Sequence, residues 1–282
     1  MPASTVSPPS RWRGHGQTWL AAIVIPVSLV TAWLIFHFVL GNPSNFVGGD
    51  PSAEPLQHNY LGVIYKGGPL VVLLIAFQVI LLAYAIERFL TIRLAWGSGA
   101  ALNFIHRIKP LIENGQHAEA LAACDTQRGS VGNVMRNGLT TYGLLAEDSS
   151  KTDDEKVQLL EHDLEEATQL ELPPLTNNLP VLSTLAQIST LIGLLGTVTG
   201  MIRAFAALAR VGSPDAVGLA GGISQALVTT ALGITTAAVA IVCHNLLASR
   251  VEKITHAIDE ASYAVLHAFQ VRRVRQQPAN KV

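Results

Sequence analysis

Two apolar stretches in the second half of the chain, 179–202 and 218–247, are threaded with Thr, Ser, Gln and Gly and contain no Asp or Glu. Each is long enough to cross a bilayer, which takes about 20 residues of helix. Each also carries a polar stripe, and hydrocarbon rejects polar groups that lack a partner. Such a stripe has to face another helix or a water-filled path. The chain is thereby confined to helical membrane architectures whose spans pack on one another or on further copies.

The composition agrees. Of 282 residues, 49% are hydrophobic and only 14% charged, where soluble domains carry about a quarter. The net charge of −1 points to no acidic or basic partner, so no nucleic acid is expected. Cys124 falls in a polar region and Cys243 inside an apolar one, so no disulfide framework is expected. The chain has no GxxxxGK[ST], HExxH, GxSxG or CxxC motif, and no nucleophile–base pair or metal-ligand spacing stands out. An enzyme, a cofactor and a metal centre are therefore not expected.

Along the chain, 1–18 is Pro/Ser-rich and reads as a disordered tail, and 19–40 reads as the first span, with Pro26 as a potential kink. The apolar run is too long for the core of a signal peptide and no small-residue cleavage site follows, so retention is expected. Residues 41–66 are a Gly/Pro/Asn/Ser-rich loop, and 67–94 the second span. The polar region 95–178 carries helical periodicity at 102–112 and 118–124, broken at Asn114-Gly115. Thr152-Asp153-Asp154-Glu155 fits a capping box, opening a helix with Val157, Leu160, Leu164, Ala167 and Leu170 on one face. Pro173-Pro174 is expected to end or kink it. The third span is 179–210, a turn occupies 211–217 with Gly212-Ser213-Pro214-Asp215, and the fourth span is 218–249. A helix over 250–276 and a tail over 277–282 follow.

Positive charge sets the orientation. Arg11 and Arg13 precede span one, Arg88 and Arg93 follow span two, and Arg250 and Lys253 follow span four. Four crossings put all three clusters on one side, so both termini and 95–178 are expected in the cytoplasm, and 41–66 and 211–217 in the periplasm. Arg203 and Arg210 oppose the rule and read as interfacial or pore-mouth charges that snorkel outward. No Gly or Pro interrupts 234–277, so span four can run on into the cytoplasm. There Val251, Ile254, Ile258, Ala261, Val265 and Ala268 form an a/d seam. A single copy is expected to leave much of that seam wet unless it packs on the 152–172 helix of the same chain. The fold class is thus all-α: four spans, a cytoplasmic helical domain, and long helices extending from the membrane.

At about 100° per residue, Ser183, Gln187, Thr190 and Thr197 share roughly a quarter of span three. Gln225, Thr229 and Thr236 share a face of span four. Back-bonding to the helix's own carbonyls is the bland use of such hydroxyls; alignment of the set favours a polar ion path. Gly193, Gly196 and Gly200 in span three, and Gly222 and Gly233 in span four, read as packing surfaces. His37 and His244 read as interfacial or satisfied, and Glu87 as a boundary residue. With no Asp, Glu or His on the path, a partner must supply any titrating group.

Two runs carry a resemblance: 191–198, Leu-Ile-Gly-Leu-Leu-Gly-Thr-Val, continuing as Gly200-Met201-Ile202-Arg203-Ala204-Phe205; and 222–234, Gly-Ile-Ser-Gln-Ala-Leu-Val-Thr-Thr-Ala-Leu-Gly-Ile. With Ile86-Glu87-Arg88 as a weaker match, the chain over about 60–265 resembles the MotA/TolQ/ExbB proton channel family, on its ExbB/TolQ branch. The resemblance implies a pentamer around single-span ExbD/TolR-like subunits whose membrane Asp titrates. It also implies a TonB- or TolA-like protein that carries the work of proton-motive force across the periplasm. Thr197 and Thr230 match the family's two pore threonines; the helical wheel itself favours Thr229. The chain departs from the family pattern with Gln225 where Glu is common, Thr190 where Pro is common, and an extra first span. A flagellar-stator-like subunit and a structural membrane scaffold without an ion path are the alternatives.

Overall fold

The computed structural model describes residues 13–99, 101–147, 150–209 and 215–276. Most of the expected N-terminal tail, the last six residues, Arg210 and the first three turn residues, 212–214, lie outside them. Among the described residues all regular elements are helical, apart from one isolated bridge between Phe46 and Pro55. The all-α class expected from the sequence is the one observed.

Four helices are long and apolar enough to cross a membrane. The first is α1 (Arg13–Leu34), which contains Pro26 and continues as a π-helical turn over Ile35–Leu40. The short α2 (Tyr60–Tyr65) leads to the second, α3 (Pro69–Trp96). Then come α4 (Ala101–Glu113), α5 (His117–Gln127), α6 (Gly129–Glu147) and α7 (Asp153–Thr176). The remaining two are α8 (Leu179–Leu208) and the 61-residue α9 (Ala216–Gln276). Helices satisfy their backbone groups internally, which is what a bilayer demands.

The chain divides into two compact units, Met1–Ala85 with Val181–Cys243, and Ile86–Pro180 with His244–Val282. In the first, Ala32, Phe36, Leu40, Val71, Ile75 and Ala76 form a core that Val228 and Leu232 help cover. Ala32 and Ala76 are fully buried, and their small size lets neighbouring helices approach. Residues 41–66, expected as a loop, are a bonded cap. Buried Asn45 donates through Nδ2 to the carbonyls of Val39 (2.8 Å) and Leu40 (2.9 Å), closing the end of the first span. Asn59 Nδ2 donates to Asn45 Oδ1 (3.0 Å). Lys66 Nζ donates to the carbonyls of Pro51 and Ser52 (3.1 and 2.9 Å) and lies 5.7 Å from the Phe46 ring centre. The Asn- and Ser-rich composition that reads as loop is here the donor and acceptor supply of a fold.

In the second unit α5, α6 and α7 pack in succession. Thr141 Oγ1 donates to Asp163 Oδ2 (2.8 Å) and Asn133 Nδ2 to Glu171 Oε1 (2.9 Å), tying α6 to α7. The capping box is realised: Thr152 N–H donates to Glu155 Oε2 (2.7 Å) and Glu155 N–H to Thr152 Oγ1 (3.4 Å). Pro173 and Pro174 lie inside α7, which ends two residues later at Thr176. The chain then turns at Asn178, whose φ of 63° is a left-handed value Asn tolerates. All six seam residues of α9, from Val251 to Ala268, are buried in the single chain, with Phe269 edge-on to Tyr142 of α6 at 5.1 Å. The expectation of a wet seam is therefore corrected: helices of the same chain cover it, so it is no argument for further copies.

Candidate functional site

The site is the contact between α8 and α9, and glycine sets its closeness. A Cβ added at Gly200 would lie 2.6 Å from the carbonyl oxygen of Gly222 and 2.9 Å from the Cβ of Ala226. One at Gly193 would lie 3.2 Å from the Cα of Gly233, and one at Gly233 2.6 Å from the carbonyl oxygen of Ser189. One at Gly196 would run into the side chain of Thr229. Backbones this close leave little room for a wide path within one α8–α9 pair.

The polar residues separate into two sets. Gln225, Thr229 and Thr236 are buried within the protomer, at 4%, 0% and 1% exposure. Thr229 Oγ1 donates to the Gln225 and Ala226 carbonyls (2.8 and 3.1 Å). Thr236 Oγ1 donates to the Leu232 carbonyl (2.8 Å) and accepts from Gln78 Nε2 of α3 (3.1 Å). Ser189 of α8, equally buried, bonds back to Leu185 (2.6 Å). The second set lies outward on α8. Gln187 and Thr190 are exposed, and Ser183 and Thr197 half-buried. Thr190 Oγ1 donates to Ala186 (3.1 Å) and Thr197 Oγ1 to Leu194 (2.5 Å). Thr230 stands between the sets: half-buried, it donates to Ala226 of its own helix (2.9 Å) and reaches the Gly193 carbonyl across the contact (3.3 Å).

Chemically, the inward set is satisfied by protein atoms alone, whereas the outward hydroxyls keep acceptor capacity toward whatever covers α8. The two pore threonines implied by the resemblance also differ: Thr230 is an inter-helix bridge, and Thr197 belongs to the outward face.

Two charged features escaped sequence reasoning. Arg203, read as a snorkelling charge, donates through Nη1 to Oε1 of buried Gln225 (2.7 Å), so its guanidinium turns toward α9. Opposition to the positive-inside pattern was the available signal. In the second unit, Arg88 is fully buried. Its Nε donates to Glu87 Oε2 (2.6 Å), its Nη2 pairs with Glu87 Oε1, and its Nη1 donates to the carbonyls of Pro174 (3.1 Å) and Asn177 (2.5 Å). Glu87 further accepts from Thr91 (3.2 Å) and Asn178 (3.5 Å). Pro cannot continue a helix's donor ladder, and the end of α7 places its free carbonyls where a guanidinium can take two of them. His37 packs against Trp33, ring centres 4.6 Å apart, and His244 Nδ1 lies 3.3 Å from Asn245 Oδ1. Among the described residues no group of three or more His, Cys, Asp or Glu could hold a metal.

The family model described as the MotA/TolQ/ExbB proton channel family matches residues 127–260, from the end of α5 well into α9. An ExbB-like biopolymer transport protein of Synechocystis sp. is 35% identical over 120 residues, covering 42% of this chain and 56% of that one. The Tol-Pal system protein TolQ of Haemophilus influenzae is 40% identical over 88 residues, covering 31% and 39%. The biopolymer transport protein ExbB of Pseudomonas putida is 34% identical over 86 residues, covering 30% and 26%. The chain thus spans about half the length of these relatives or less. Through residues 127–260, which hold the α8–α9 contact and its polar residues, the chain belongs to the MotA/TolQ/ExbB proton channel family, on its ExbB/TolQ branch.

Proposed function

We propose that this chain is the multi-span channel and scaffold subunit of an inner-membrane machine driven by proton-motive force, energising TonB-dependent outer-membrane transport or Tol-type envelope work. The observation that carries the reading is the outward hydroxyl and amide face of α8, with Ser183, Gln187, Thr190 and Thr197 on a helix that carries no acid. A face of this kind is costly against lipid and useful against a wet cavity. Copies of the chain, five on the family pattern, would turn this face inward around a single-span ExbD/TolR-like subunit. That subunit's membrane Asp takes up and releases the proton, and a TonB- or TolA-like protein receives the work. Thr197 hydrogen-bonds water or that carboxylate, and Thr230 holds the α8–α9 contact behind it. Gln225, Thr229 and Thr236 set the protomer's inner packing, a role they share with the alternative reading of a scaffold without an ion path. Both termini lie in the cytoplasm, from the distribution of Arg and Lys. No bond-making chemistry is involved.

Thr197→Val keeps volume and removes the hydroxyl. It is expected to leave co-purification with the single-span partner intact and to cut proton-driven outer-membrane uptake. Uptake at the level of the unmutated chain would refute the role of Thr197. A Thr229→Val change, confined to the protomer interior, should instead act on stability.

A further inference from the structure

In the second unit, α3 and α9 enclose a cavity of about 350 Å³ lined by Phe89, Ile92, Arg93, Trp96, Gly97, Leu247 and Arg250. Its floor is apolar, since Ile92 and Leu247 are buried. Its rim carries two exposed arginines, and neither makes an ion pair among the described residues. The nearest acid along α3, Glu87, is occupied by Arg88, and the acid that follows Arg250, Glu252, faces His256 at 3.9 Å. Two guanidiniums over an apolar floor, with a half-buried indole beside them, make an amphipathic receptacle that is cationic on one side only.

Its level along the helices identifies the ligand. On α3 the exposed large apolar residues run Ile86, Phe89, Leu90 and Leu94; on α9 they run to Leu246, and the next is Tyr263. Arg93 and Arg250 therefore stand at the margin where the apolar surface of both helices stops. Guanidinium binds phosphate oxygens in a bidentate fork, and Trp is favoured where one side of a ring is apolar and the other wet. We propose that this cavity is a headgroup site for an anionic phospholipid: Arg93 and Arg250 hold the phosphodiester, Trp96 packs against the glycerol region, and the acyl chains follow the apolar face through Phe89. The assignment depends on the membrane reading of the chain and not on an ion path, so it stands or falls separately from the role of Thr197.

The test uses the full-length chain, purified in a mild detergent and delipidated, with phosphatidylglycerol and phosphatidylcholine of identical acyl chains as probes and native mass spectrometry as the readout. Phosphatidylglycerol is expected to bind at least tenfold more tightly than phosphatidylcholine, consistent with two basic residues at an anionic surface. Arg93→Gln/Arg250→Gln should abolish that preference, Arg93→Lys/Arg250→Lys should retain part of it, and Lys253→Gln, outside the cavity, should not change it. Millimolar inorganic phosphate should fail to displace the lipid. Equal binding of the two lipids to the unmutated chain would overturn the proposal even if the double Gln variant does not fold. Displacement by phosphate alone, or a preference that survives in a folded double Gln variant, would overturn it too.

Discussion

Arg88→Met tests how the buried guanidinium holds α3 to the end of α7. The substitution keeps length and apolar volume while deleting a side chain that is 1% exposed. It removes both bonds to Glu87, whose side chain is 22% exposed, and strips the Pro174 and Asn177 carbonyls of their side-chain donor. Breaking a buried pair from one side costs about 3–5 kcal/mol. Glu87 retains Thr91 and Asn178 as donors and some contact with solvent, which places the expected loss near the lower end, about 3 kcal/mol. Glu87→Gln/Arg88→Met removes the stranded charge as well, leaving mainly the two carbonyls to be satisfied, so about 1–2 kcal/mol should remain. The double variant is thus expected to be more stable than Arg88→Met alone. Equilibrium unfolding in mixed micelles measures the three free energies, and amide exchange across 174–181 reports whether the end of α7 opens. Arg88→Met within about 0.5 kcal/mol of the unmutated chain, with exchange at 174–181 unchanged, would refute the argument that this guanidinium closes the helix.

Gly196→Ala should destabilise by about 1–3 kcal/mol, because its methyl collides with fully buried Thr229; Gly196→Ala/Thr229→Ser, compared by the same unfolding measurement, should recover part of the loss. Gln225→Glu should be tolerated, since Arg203 already holds that position at 2.7 Å, whereas Arg203→Gln/Gln225→Glu leaves a carboxylate buried without its cation and should cost roughly 3 kcal/mol or force its protonation. Burial, aided by neighbouring Asp125, pushes the Cys124 thiol from 9.0 up to about 12. In a Cys243→Ser background it should therefore resist maleimide at pH 8 until the chain is unfolded. The sign of the linkage follows: the folded state binds this proton more tightly, so the contribution is complete below about pH 9 and is lost as pH rises toward 12. Cys124→Ala should flatten stability against pH in that window, and an unaltered slope would show that other groups dominate it.

The features legible in the sequence were those written as runs. Apolar length fixed the spans, the Thr152–Glu155 spacing fixed the start of α7, and glycine spacing located the surfaces where α8 and α9 meet, because each depends on residues near in sequence or on one helical period. The partition of the polar residues was not legible. A helical wheel groups Gln225 with Thr229, and Ser183 with Thr197, yet says nothing about which neighbour each group will face; that is decided by where Gln78 of α3 and the glycines of α8 come to lie. The same limit hid the roles of Arg88 and Arg203. A cation beside an apolar run reads as a topology marker, since its carbonyl or amide partners lie 86, 89 and 22 residues away. It also explains why the α9 seam suggested further copies: periodicity states that a face must be buried, whereas only the fold states by what. The outward face of α8 poses the same question one level higher. The fold of one chain covers the seam and the inward threonines but leaves Gln187 and Thr190 exposed. Whatever answers for those side chains in a membrane comes from outside the protomer, and that gives the substitution at Thr197 its force.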